Sequence, residues 1–70
     1  MSATVNTELL KKRMKRLELT QAELAKELGM AQPTLNQKLN NIRLFDIEEV
    51  AKLARLLGIA RSEIGVYFVM

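Results

Sequence analysis

The chain's 70 residues read as a single domain, and a domain this small buries only about 60% of its unfolded surface, so a second copy or a partner would add to a marginal stability. It contains no cysteine and no histidine, which excludes a disulfide framework, a thiolate metal site and the usual neutral-pH base. Eleven Lys and Arg against eight Asp and Glu leave a net charge of +3, a modest bias toward polyanions. Apolar residues make up 49% of the chain but never run unbroken for the ~18 needed to span a bilayer, and the N-terminus lacks a signal peptide's apolar core. A soluble, cytoplasmic protein without a membrane partner is expected.

The first helix is expected to begin near Asn6 or Thr7, with Leu10, Met14 and Leu17 on one buried stripe. Lys11, Lys12, Arg13, Lys15 and Arg16 crowd the same segment, as a solvated face or as an attraction for polyanions. Thr20 and Glu23 fit a capping box that opens the second helix, with Leu19 and Leu24 as its hydrophobic staple. Leu24, Ala25 and Leu28 form its inner face, and Gly29 can take the positive φ that ends it.

The third helix should run from about Gln32 to Leu39 or Asn40, Leu35 and Leu39 pointing inward. Pro33 fits only its first turn, where a missing N–H costs nothing, and Ala31 forgoes about 1 kcal/mol of capping. Asp46 and Glu49 repeat the capping box for a fourth helix, with Phe45 and Val50 as staple and Val50, Leu53, Ala54 and Leu57 as its apolar stripe up to Gly58. A further helical turn is expected at Arg61 to Ile64. After Gly65, the β-branched and aromatic residues suit an extended strand.

A small residue at a close approach, a glycine in the turn and a polar face on the following helix distinguish a helix-turn-helix from two adjacent helices, and Ala25, Gly29 and the third helix supply them. The motif covers about Thr20 to Asn40. Leu19-Thr20-Gln21-Ala22-Glu23-Leu24-Ala25-Lys26-Glu27-Leu28-Gly29, continuing through Met30-Ala31-Gln32-Pro33-Thr34-Leu35, resembles the lambda-repressor-like, Cro and XRE-type helix-turn-helix family. The resemblance extends through Phe45-Asp46 and Val50 to Leu57-Gly58-Ile59. It implies an all-α, compact bundle of four or five helices, to which the composition of the tail adds a short extended C-terminal segment, and transcriptional repression by binding operator DNA.

Carried over by position, it implies that Gln32, Pro33, Asn36 and Gln37 face base edges and that Gln21 contacts a phosphate. The chemistry agrees: Gln and Asn bond adenine bidentately, proline offers only an apolar contact such as one to a thymine methyl, and a helix N-terminus favours phosphate. Lys38, Asn40, Asn41 and Arg43 fit a clamp on the DNA backbone. The same amides also suit a merely exposed polar face.

Glu23 and Glu49 are accounted for as capping residues, and Asp46 and Glu48 complement a helix dipole, so neither a catalytic site nor a cofactor or metal is expected. Val66, Tyr67, Phe68, Val69 and Met70 are expected to form a homodimer interface, with folding back onto their own bundle or contact with another protein as the alternatives. The expected partner is double-stranded operator DNA, bound by a phage-type repressor at the nucleoid of a bacterial host. The alternative is an anti-repressor or modulator that acts mainly on a partner repressor protein, which the charge-poor recognition helix permits.

Overall fold

A computed structural model describes residues 2–69. In chain order it contains β1 (Ser2–Val5), α1 (Thr7–Arg16), α2 (Gln21–Leu28), α3 (Gln32–Leu39), β2 (Phe45–Asp46), α4 (Ile47–Leu56), a 3-10 turn (Arg61–Glu63), α5 (Ile64–Tyr67) and β3 (Phe68–Val69). α1, α2 and α4 each begin where their capping chemistry dictates. The Asn6 side chain accepts from Leu9 N–H at the start of α1. At α2, Thr20 Oγ1 accepts from Glu23 N–H, while the Thr20 N–H and hydroxyl both donate to Glu23 Oε1 at 3.0 and 2.9 Å. Those donors hold the Glu23 carboxyl below its ordinary range, the backbone N–H more than the hydroxyl. Asp46 and Glu49 make the second box, and Ala31 opens α3 without a side-chain cap.

The ends of α1 to α4 share one device. Glu18, Gly29, Asn41 and Gly58 all take positive φ, between 57° and 69°. The next residue then returns its N–H to a carbonyl five back: Leu19 to Met14, Met30 to Ala25, Ile42 to Gln37 and Ile59 to Ala54, at 2.8–3.0 Å. Glu18 alone among these four carries a long side chain into the left-handed region, with no side-chain bond to compensate. Glu18→Gly is therefore expected to raise stability by about 0.5–1 kcal/mol, the steric relief exceeding the entropy of the added glycine. A urea midpoint that stays level or falls would contradict this.

The helices bury Leu10, Met14, Leu24, Leu28, Leu35, Leu39, Leu53 and Leu57 in one core. A three-stranded antiparallel sheet, ordered β2-β1-β3, closes over it. Ala3 pairs with Phe45 and Val5 with Phe68, and all four side chains turn into the core, while Ser2, Asp46 and Val69 face out. The helical expectation holds for the body of the molecule. The sheet adds a strand, β1, for which nothing was expected.

Two expectations are corrected. Leu17 is 42% exposed, because α1 ends at Arg16 and the tight turn at Glu18 swings Leu19 onto the core in its place. Gly65, Val66 and Tyr67 are helical rather than extended, since the turn opened by Arg61 continues as α5; only Phe68 and Val69 pair as a strand. Among the described residues no helix is long and apolar enough to cross a membrane.

Candidate nucleic-acid interface

α2 and α3 pack on each other through a tight turn, with Ala25 and Leu35 both buried at the junction. Leu35 and Leu39 anchor α3 by one side, which leaves Gln32, Pro33 and Asn36 exposed and Gln37 half-buried. These four side chains and Gln21, the first residue of α2, line an open concavity of about 380 Å³. Asn36 Nδ2 donates to Gln21 Oε1 at 3.2 Å, linking the exposed face of α3 to the N-terminus of α2. The family model described as "Helix-turn-helix" matches residues 10–64.

The chain belongs to the lambda-repressor-like, XRE-type helix-turn-helix family. No curated protein and no solved structure matches it. Membership makes this helix-turn-helix protein a DNA-binding transcription regulator, with double-stranded DNA as its partner; the family is one of regulators, not of enzymes.

Residues expected at the DNA backbone divide in the structure. Gln21 stands at the helix start beside the concavity, and Arg43 is exposed in the loop between α3 and β2. Asn40 is exposed and donates from Nδ2 to Asn36 O at 2.8 Å, across the end of α3. Lys38 and Asn41 instead find partners within the chain. Lys38 lies two residues past Asn36 and so about 200° round the helix. Its Nζ meets both Glu49 oxygens at 2.5 and 2.7 Å, above the ring of buried Phe45, and its side chain is only 13% exposed. The charge is neutralised within the protein. Asn41 spends its amide on β1, accepting from Val5 N–H at 2.8 Å and donating to Val5 O at 3.0 Å.

Thr7 and Glu49 each make a contact to α3 that local pattern did not reveal. The Thr7 hydroxyl donates to Leu39 O at 2.6 Å, so α3 is fastened at its C-terminal end to both Thr7 and, through Asn41, Val5. Glu49 holds Lys38 with the same carboxylate that accepts from Asp46 N–H at 3.0 Å. One signal was present in the sequence: an asparagine rather than a glycine at the left-handed position after α3, a choice that adds a side-chain amide where glycine has none.

The C-terminal segment also divides. Phe68 is 2% exposed and belongs to its own core, which removes it from any interface between molecules. Tyr67 is half-buried, with its hydroxyl 3.4 Å from Arg13 Nη1 and the guanidinium 5.9 Å from the ring centroid. Arg13 also donates to Leu57 O and Gly58 O, so this member of the basic run ties α1 to the end of α4. Val66 and Val69 remain exposed, and Met70 lies outside the described residues.

Proposed function

We propose that the protein is a Cro-like repressor of phage or prophage type that places α3 in the major groove of operator DNA. The observation that carries this reading is the row of uncharged polar side chains on α3, Gln32, Asn36 and Gln37, gathered with Pro33 and Gln21 round one open concavity. The major groove admits an α-helix, and each base pair presents there a distinct edge of donors and acceptors. In this reading Gln32, Pro33, Asn36 and Gln37 meet bases, while Gln21, Asn40 and Arg43 hold the backbone.

Gln37→Ala is expected to cost about 1–3 kcal/mol of binding at particular operator positions, and Arg43→Ala to weaken all sequences alike and lower the salt slope by about one contact. The check is a footprint titration on DNA flanking the protein's own gene, repeated at several salt concentrations. Equal losses on cognate and scrambled DNA for Gln37→Ala would remove the base-reading role.

A single α3 contacts too few base pairs for genomic discrimination, so the working species is a homodimer on half-sites about 34 Å apart. Exposed Val66 and Val69 are the tail's contribution to that contact. The neutralised Lys38 favours a second reading, since α3 is left with no free charge for phosphates: the protein modulates a partner repressor instead. The same titration separates the two. A footprint that forms only with the neighbouring repressor present supports the second reading.

A further inference from the structure

Resting on that base-reading role, we propose that the operator half-site is read as adenine and thymine, with no guanine contact from α3. Guanine is recognised above all by an arginine or lysine that bonds O6 and N7 together, whereas asparagine and glutamine fit adenine N6 and N7. The concavity formed by Gln21, Gln32, Pro33, Asn36 and Gln37 is lined by no charged side chain. The one cation of α3, Lys38, is bound by both oxygens of Glu49 on the far side of the helix.

Asn36 is oriented for its task. One Nδ2 hydrogen is committed to Gln21 Oε1 and Oδ1 accepts a long bond from Asn40 Nδ2 at 3.5 Å, which together set the amide plane and leave the second hydrogen and the other Oδ1 lone pair as a donor and an acceptor. That is the complement of adenine N7 and N6. The bond also ties the reading of that base to Gln21, whose own amide nitrogen is left to donate to a phosphate. Pro33 is exposed beside these amides without a polar group on its side chain, so the contact it makes is apolar and suits a thymine methyl.

The test begins with selection of binding sites from a random duplex library by the full chain, followed by base-analogue substitution in the selected site. A·T pairs are expected at the contacted positions. One 7-deaza-adenine, which lacks the N7 acceptor, should weaken binding about tenfold at a contacted position, as should Asn36→Ala at its own base pair. Uracil for the thymine beside Pro33 should cost about fourfold, the worth of one buried methyl. 7-Deaza-guanine should have no effect in the half-site.

A site that depends on Asn36 and Gln37 yet is weakened by 7-deaza-guanine would overturn the adenine and thymine assignment while leaving the proposed function intact. Enrichment of A·T pairs indifferent to 7-deaza-adenine would overturn it too, because such a preference reports duplex shape. No enrichment at all would overturn both readings.

Discussion

Phe68→Ala is expected to lower stability by about 3–5 kcal/mol, a large part of the total that a domain of this size holds. The ring is 2% exposed, sits opposite Val5 across the β1–β3 pair, and has core side chains rather than solvent around it. Truncation leaves a cavity as well as losing apolar burial. Urea unfolding followed by far-UV circular dichroism is the check, and a loss below about 1 kcal/mol would mean that the tail is not part of the core. The neighbouring Val69, 67% exposed on the outer face, should tolerate Val69→Glu with a change within about 0.5 kcal/mol. The contrast matters for assembly. Deleting the whole tail would unfold the protein and say nothing about dimers, whereas Val69→Glu leaves the fold intact and asks by sedimentation equilibrium whether the association state depends on the exposed valines.

Asn41→Ala should cost about 2–4 kcal/mol from three sources: two hydrogen bonds to the Val5 backbone at about 1 kcal/mol each, and about 1 kcal/mol for alanine at φ 61°. Asn41→Gly separates these contributions, since glycine accepts the backbone angle and loses only the amide. The glycine variant should therefore recover about 1 kcal/mol relative to alanine. If the two variants unfold at the same urea concentration, the left-handed backbone is not what selects the residue. If both match the parent, the amide clip contributes nothing.

Most of the helical frame was legible in the sequence because its signals are local. Thr20 with Glu23, and Asp46 with Glu49, declare a helix start within four residues, and Gly29 and Gly58 declare an end. The concavity was legible for the same reason, since core positions at Leu35 and Leu39 force the intervening amides outward. What stayed hidden depends on partners distant in sequence. Ser2–Val5 is too short to declare itself by alternation and becomes a strand only between Phe45 and Phe68. Lys38 reads as a free cation until Glu49 is folded beside it, and Asn41 reads as a loop amide until Val5 arrives. The tail misled by composition: its β-branched and aromatic residues favour a strand, but a helical turn already begun at Arg61 carries Val66 and Tyr67 with it.

The place of β1 in the middle of the sheet sets the order in which the molecule can assemble. Its neighbours come from opposite parts of the chain: β2 follows the third helix, and β3 follows the last. Helices form from neighbouring residues within microseconds, but β1 has to wait for a segment synthesised after every helix, and joining them closes a loop that encloses all the rest. On the ribosome, then, the two helices of the DNA-reading motif can form early, while Val5, to which Asn41 fastens the end of α3, gains its second strand only once Phe68 has left the exit tunnel. Until that moment a nascent regulator has α3 without its full anchorage, so the finished helix-turn-helix waits on the pairing of β3 with β1.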